Sequence, residues 1–248
     1  MDDATPLAQV EAPPPEDSGK LIAPLWHTVL LVIVVLLVSF GGSKAVHREI
    51  SANKLPLYTW NILWQVLVVG YVWIGLRLRK TRLRDVVGGK WNTLEAFLFD
   101  VAIAAGFWFV SMIVLAALRF AMGILPKAHD LGEIKRTLGF LIPQTTEELL
   151  LWMVVSLTAG ICEEIIFRGY LQQQSRLITG SAWLGIVVSG IVFGAGHGYQ
   201  GLRMMIVIAV YGTMFGLLAH FRKSLRPGMM AHAWQDALTG IVSRIALK

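Results

Sequence analysis

Charged residues are scarce in this sequence. Only 15% of its 248 residues are Asp, Glu, Lys or Arg, whereas a soluble domain carries about a quarter. Hydrophobic residues make up 55%, and the mean hydropathy is +0.61. This composition excludes an ordinary soluble domain and predicts a polytopic membrane protein.

Cysteine is almost absent too. The single Cys162 excludes an intrachain disulfide. Because it stands in an apolar stretch, its thiol is typical of a packing residue rather than a reactive one.

The apolar runs predict an all-α fold, a polytopic transmembrane helical bundle of about seven spans, with six to eight as the range. A span needs about 20 apolar residues, and Gly or Pro residues separate the runs. The predicted spans are Pro24–Phe40, Tyr58–Leu76, Thr93–Leu118, Leu149 to about Tyr170, Ala182–Gly196, Met204–His220 and Met229–Leu247. No sharp hydrophilic shift divides the chain, so we expect residues 21–140 and 141–248 to form one structural domain.

Residues 1–20 differ from the rest of the chain. They contain five acidic residues and the run Pro13-Pro14-Pro15, and such a segment buries too little apolar surface to order itself. We therefore predict a disordered acidic tail. It lacks the basic start of a secretory signal, so the first apolar run is interpreted as an uncleaved anchor.

The net charge of +6 comes largely from short loops. The two densest basic segments are 77–84 and 222–226, with four predicted spans between them. The positive-inside rule places both in the cytoplasm and the N-terminus with them. Because insertion explains these arginines, no nucleic-acid partner is predicted. We expect an integral, multi-pass protein surrounded by lipid, in the plasma membrane if the source is bacterial.

Glu163, Glu164 and Arg168 form the first cluster of ionisable residues inside an apolar run. Residues four apart share a helix face, so Glu164 is expected to pair with Arg168. Glu163 points about 100° away and has no partner in its own turn. Ionisable residues in a membrane segment are costly and indicate a functional site, and an unpaired acid is a candidate general base.

Glu147-Glu148 provides an internal comparison. It is also a double glutamate, but no arginine follows it at the same spacing. Thr145 precedes Glu148 by three residues, which is the spacing of a helix capping box. For this pair a structural role is predicted.

Two histidine clusters follow. Phe193-Gly-Ala-Gly-His197 ends a glycine-rich run in which Gly185, Gly190 and Gly194 permit close helix packing. His232 and Asp236 are four residues apart and share a face. That spacing suits two metal ligands, an acid that orients an imidazole, or two groups that face one reacting oxygen.

The three motifs together, Glu-Glu-x-x-x-Arg, Phe-x-x-x-His and His-x-x-x-Asp, resemble the CPBP family of membrane proteins. This family contains CAAX prenyl endopeptidases of the Ras-converting type and bacteriocin-processing or self-immunity (Abi) proteins. The continuation Arg168-Gly-Tyr-Leu is similar as well. The resemblance covers roughly residues 145–248, and residues 1–140 match only as generic membrane helices.

The resemblance implies an intramembrane endopeptidase that acts on small or lipid-anchored, CAAX-like peptides. It implies that Glu163 and His197 activate water, that His232 and residue 236 stabilise the oxyanion, and that Glu164 and Arg168 support the site.

Family members often carry Asn at position 236, whereas an ionised Asp accepts hydrogen bonds only. Asp236 must then be protonated, orient His232 or bind a metal. A mechanism without a required cofactor is favoured, and zinc held by Glu163, His197, His232 and Asp236 is the alternative.

Other functions are less consistent with the sequence. It lacks His-Glu-x-x-His, Gly-x-Ser-Gly and Gly-x-Gly-Asp, the motifs of other intramembrane proteases. A transporter should show two pseudo-symmetric halves, but the intramembrane charges lie in the second half. A catalytically silent scaffold or self-immunity protein of the same fold remains the alternative, although it needs neither Glu163 nor His197.

The predicted spans conflict with the motifs in one respect. They place His197 near the outer face and His232 near the cytoplasmic end. The two can meet only if the Glu163 helix continues beyond Gln174, or if the fifth helix starts inside the bilayer.

Overall fold

The structure, a computed structural model, describes residues 19–45, 53–124, 139 and 141–246, with side chains omitted for 42–45. Most of the predicted acidic tail, residues 1–18, lies outside these ranges. The helices are α1 (Leu25–Ala45), α2 (Leu55–Leu78), α3 (Leu83–Val87), α4 (Leu94–Ala121), α5 (Thr146–Glu163), a π-helix (Glu164–Gln172), α6 (Gln173–Thr179), α7 (Ala182–Ala195), a 3₁₀ turn (Gly198–Gln200), α8 (Leu202–Arg222) and α9 (Arg226–Ala246).

The predicted all-helical architecture is confirmed. Each of the seven predicted spans overlaps a helix, although Leu247, at the end of the last predicted span, lies outside the described residues. Four helical segments of the described chain are long and apolar enough to cross a membrane, namely Leu55–Leu78, Leu94–Ala121, Thr146–Thr179 and Leu202–Arg222. Leu25–Gly41 and Ala182–Ala195 are shorter apolar helices. Many large apolar side chains point outward from these helices, as expected of an integral membrane protein in lipid.

The predicted fourth span was wrong in length. Instead of ending near Tyr170, the helix that starts at Thr146 continues to Thr179 as one 34-residue segment. At 1.5 Å per residue, it extends well beyond Glu163 in both directions, so Glu163 lies near its middle. The conflict left by the sequence is resolved, because the rings of His197 and His232 both pack against Phe193.

The start of this long helix is fixed as predicted. Thr145 accepts from the backbone of Glu148, and the Glu148 carboxylate accepts from the backbone of Thr145. Glu148 also accepts from the backbone of Lys54, whose ammonium lies 3.8 Å away and donates to the Ile142 carbonyl. Glu148 of the capping box therefore also links the start of α2 to the start of α5.

Glycines set the close contacts between the helices around the motifs. A side chain at Gly190 would meet Thr213 and the Ala209 carbonyl of α8, and one at Gly194 would meet the Met205 carbonyl. A side chain at Gly160 would meet the backbone of α9 at Met229. The predicted glycine packing of α7 is confirmed against α8, and Gly160 lets α5 and α9, two motif-bearing helices, come close together.

Candidate active site

The first motif lies on a π-helix. Glu164 to Gln172 form nine residues of wide helix, all of them buried, where most π-helices are single turns and often mark functional sites. Side chains of neighbouring helices bond this segment. Ser189 donates to the Phe167 carbonyl at 2.7 Å, and the Tyr170 hydroxyl bonds to both His27 and Thr28 of α1.

Arg168 and Glu164 form the predicted ion pair, with Nη1 of Arg168 2.9 Å from Oε1 of Glu164. Both side chains are at most 1% exposed. Arg168 also donates to the Gly212 carbonyl at 3.0 Å. Rings of Phe167, Phe193 and Phe215 surround its guanidinium at 4.3 to 5.9 Å. Cation–π contacts of this kind strengthen when they are desolvated.

His232 completes a buried chain of polar groups. Its Nδ1 lies 3.1 Å from Oε1 of Glu164, the oxygen that accepts from Arg168. A carboxylate is an acceptor, so Nδ1 carries the proton in this bond. The ring of Phe215 stacks on the imidazole with centroids 5.2 Å apart. Arg168, Glu164 and Phe215 therefore fix the orientation of His232.

The other ring nitrogen of His232 faces the two remaining acids. Its Nε2 lies 3.8 Å from Oε2 of Glu163 and 3.7 Å from Oδ2 of Asp236. The side chains of Glu163 and Asp236 are 20% and 34% exposed, whereas that of His232 is 5% exposed. Oε2 of Glu163 is itself buried and has no hydrogen-bond partner in the described chain. The acids thus form the accessible side of the cluster.

His197 lies at the end of α7 and reaches the cluster indirectly. Its ring packs against Phe193 at 4.9 Å, and Phe193 packs against His232 at 5.9 Å. Nδ1 of His197 donates to the Phe193 carbonyl at 2.9 Å, because a carbonyl only accepts. When the ring is neutral, Nε2 is therefore the unprotonated nitrogen, which is the form of a base.

Ser39 of α1 holds the backbone on both sides of His197. Its hydroxyl donates to the Ala195 carbonyl and accepts from the Gly198 amide, both at 2.8 Å. A side chain at Gly198 would meet Phe40 of α1. A single α1 residue therefore satisfies the two backbone groups left open where α7 ends.

The 3₁₀ turn that contains Tyr199 lies near the carboxylates of Glu163 and Asp236. The Tyr199 ring lies 6.0 Å from that of His197, and its hydroxyl accepts from Gln200. Burial, with further contributions from the charges of Glu163 and Asp236, raises the pKa of the Tyr199 phenol to about 12. The phenol is therefore neutral at physiological pH.

The predicted zinc alternative does not fit the geometry. No group of three His, Cys, Asp or Glu side chains within the described ranges is arranged to hold a metal ion. His232 has one nitrogen committed to Glu164, and the ring of Phe193 lies between those of His197 and His232. A catalytic zinc site takes three protein ligands at about 2.0–2.3 Å and a water.

The structure brings Glu163, Glu164, Arg168, His232 and Asp236 into one cluster, and His197 adjoins it. Sequence reasoning missed the bond between Glu164 and His232, which are 68 residues apart. It also missed the aromatic rings around Arg168 and the part played by Ser39. Of these residues, only Phe193 could have been singled out from the sequence, because it begins the second motif.

Residues 145–238 match the family model described as type II CAAX prenyl endopeptidase Rce1-like. No curated protein and no solved structure gives a significant match. The matched segment contains all three motifs and ends two residues after Asp236. The segment that forms the cluster is therefore similar to the Rce1-like endopeptidases, as the resemblance of the three motifs to the CPBP family predicts.

Proposed function

We propose that this protein is an intramembrane endopeptidase that cleaves small or lipid-anchored, CAAX-like peptides with water activated by Glu163 and His197. The observation that carries the proposal is the Glu163 carboxylate. One of its oxygens is buried without a hydrogen-bond partner among the described residues and faces an imidazole held by Glu164 and Arg168. An unsatisfied buried carboxylate oxygen is costly, so a purely structural role leaves it unexplained.

Hydrolysis then proceeds by ordinary acid–base steps. Glu163, assisted by Nε2 of His197, accepts a proton as water adds to the scissile carbonyl carbon. His232 acts as an imidazolium, in which Nδ1–H stays bonded to Glu164 and Nε2–H donates to the oxyanion of the tetrahedral intermediate. When the C–N bond breaks, the proton held by Glu163 passes to the leaving nitrogen, and the products are a carboxylic acid and an amine. The separations of 3.7 to 3.8 Å around His232 shorten when substrate enters, as in other enzymes.

The proposed mechanism requires no cofactor, and Asp236 provides its test. We expect cleavage by the purified protein to resist chelators and to continue in Asp236→Asn, since an amide can donate to the oxyanion whereas an ionised carboxylate cannot. Elemental analysis should find no stoichiometric zinc. About one equivalent of zinc, lost together with activity in Asp236→Asn, would contradict this mechanism.

The proposed setting is the plasma membrane if the source is bacterial, with the N-terminus in the cytoplasm. Support comes from the two basic segments. The backbone of Gly88 pairs with that of Ser224, and the Leu225 amide donates to the Val87 carbonyl. Both basic segments therefore lie at one end of the bundle, as the positive-inside rule requires.

The substrate class is tested with paired synthetic peptides. Each contains a C-terminal CAAX-like sequence, and one member of the pair is prenylated on cysteine. We expect purified protein in detergent or nanodiscs to release a C-terminal fragment, with the prenylated peptide preferred because lipid and apolar helices surround the site. Mass spectrometry identifies the bond that is cut. Binding of both peptides without cleavage would favour the scaffold alternative.

A further inference from the structure

Tyr211 of α8 has a buried hydroxyl that no described residue accounts for. The residue is 8% exposed, and its hydroxyl has no hydrogen-bond partner among the described residues. Ser111 lies near it, but the two hydroxyls do not meet in hydrogen-bonding geometry, and the Ser111 hydroxyl donates to the Trp108 carbonyl of its own helix. A buried phenol normally finds a partner, so this group points to a ligand that the described residues do not supply.

The position of Tyr211 connects it to the reacting groups. Its ring packs on Phe215 with centroids 4.6 Å apart, and Phe215 stacks on His232. The next residue, Gly212, supplies the carbonyl that binds Arg168. The charges that act on the phenol are those of Asp236, Glu164 and Arg168. Tyr211 therefore belongs to the packing that surrounds His232, on the side of α8.

His232 and Asp236, the residues predicted to stabilise the oxyanion, supply only one donor between them. Stabilising an oxyanion commonly takes more than one hydrogen-bond donor, and His232 offers only Nε2 because Nδ1 is bonded to Glu164. An ionised Asp236 can accept hydrogen bonds but cannot donate one. A neutral phenol is a donor, and Tyr211 is a tyrosine near these groups whose proton has no acceptor within the described chain. Tyr199, by comparison, has its hydroxyl bonded to Gln200.

We propose that Tyr211 is a catalytic residue whose hydroxyl donates to the substrate oxyanion, beside His232, where ionised Asp236 cannot. This inference rests on the proposed peptidase function. No covalent bond to Tyr211 forms, because its proton stays on the phenol oxygen throughout the reaction. Its contribution is a hydrogen bond that strengthens as negative charge develops on the carbonyl oxygen.

Tyr211→Phe tests the proposal, because it removes one oxygen and keeps the ring against Phe215. We expect kcat to fall about 10²-fold, the size of effect seen when an oxyanion donor is lost, with KM unchanged. The melting temperature should stay the same or rise, since no hydrogen bond within the protein is lost. Tyr58→Phe is the matched control. Its hydroxyl donates to the Leu141 carbonyl at 2.8 Å, so it should lose stability and keep its activity per folded molecule.

Two further measurements protect the test against a folding artefact. A peptidyl trifluoromethyl ketone, which forms a tetrahedral hydrate, should bind Tyr211→Phe about 10²-fold more weakly than wild type, whereas an uncleaved substrate peptide should bind equally. Adding Asp236→Asn to Tyr211→Phe should recover at least tenfold in kcat, because the amide supplies a donor.

Unchanged kcat in Tyr211→Phe would overturn the proposal. So would equally weakened binding of the trifluoromethyl ketone and the uncleaved peptide. A loss of activity in Tyr199→Phe but not in Tyr211→Phe would overturn it as well. If the wild-type protein cleaves no peptide, the proposed function itself fails. That outcome is distinct from cleavage that is indifferent to position 211.

Discussion

Glu164 serves two partners with a single carboxylate oxygen. Oε1 accepts from Arg168 at 2.9 Å and from His232 at 3.1 Å, so it is both an ion-pair partner and the group that orients the imidazole. The sequence predicts the first contact, because the residues are four apart on one helix. It does not predict the second, because helix rotation and packing determine which residues of α9 face α5.

Glu164→Ala and Arg168→Ala should both reduce folded yield more than Glu163→Ala does. Removing one member of a buried ion pair leaves an uncompensated charge, at a cost of roughly 3–5 kcal/mol. The double variant should be less unstable than the sum of the single variants. Thermal unfolding in detergent measures this cycle. Strict additivity would show that the two residues do not stabilise each other.

The π-helix and α1 matter most at the scale of elements. The sequence predicts helices at both places, but it predicts neither the wide turns from Glu164 to Gln172 nor the attachment of α1 to them. Distant side chains bond this segment. Ser189 donates to the Phe167 carbonyl, 22 positions away, and His27 bonds to the Tyr170 hydroxyl, 143 positions away. Periodicity reports which face of a helix is apolar, not which distant side chain will bond its carbonyl groups.

Ser39→Ala tests whether α1 positions His197. The substitution removes the hydroxyl that bonds the backbone on both sides of His197, so we expect kcat to fall tenfold or more, because small displacements of catalytic groups are costly. KM should change little, and the loss of two hydrogen bonds should cost about 1–3 kcal/mol of stability. Steady-state cleavage and thermal unfolding check these two effects.

Ser156→Ala is the control for this substitution. Ser156 is buried, but its hydroxyl donates to the Trp152 carbonyl one turn earlier in its own helix. Its removal should leave kcat near the wild-type value. An equal loss of kcat in both variants would assign the effect to general destabilisation rather than to the position of His197.

At the scale of the whole molecule, the sequence predicts the helical bundle and the grouping of its basic loops better than the lengths of its helices. Hydropathy locates apolar runs, but polar residues inside a run, such as Gln172 to Gln174, conceal the continuation of the helix to Thr179. Gln172 and Gln174 lie inside the protein and donate to the carbonyls of Gly216 and Ala23. Buried polar partners therefore extend a helix where hydropathy predicts its end.

Membrane orientation is testable because Cys162 is the only cysteine and is buried. Asn92→Cys places a thiol at the basic end of the bundle, and Gln144→Cys places one at the end where α5 begins, both at exposed positions. With Cys162→Ser as background, a membrane-impermeant maleimide should label Gln144→Cys in intact cells. It should label Asn92→Cys only after permeabilisation. The reverse pattern would place the N-terminus outside.

The proposed hydrolysis depends most on Glu163 as the base that activates water. Its most direct test is the kcat/KM for cleavage of one peptide by purified Glu163→Gln. Glu147→Gln makes the same change at an exposed residue in the first turn of the same helix and serves as the control. We predict a loss of at least 10²-fold in Glu163→Gln, with an unchanged melting temperature and with near wild-type cleavage by Glu147→Gln. Cleavage by Glu163→Gln at a rate near that of wild type would contradict the mechanism.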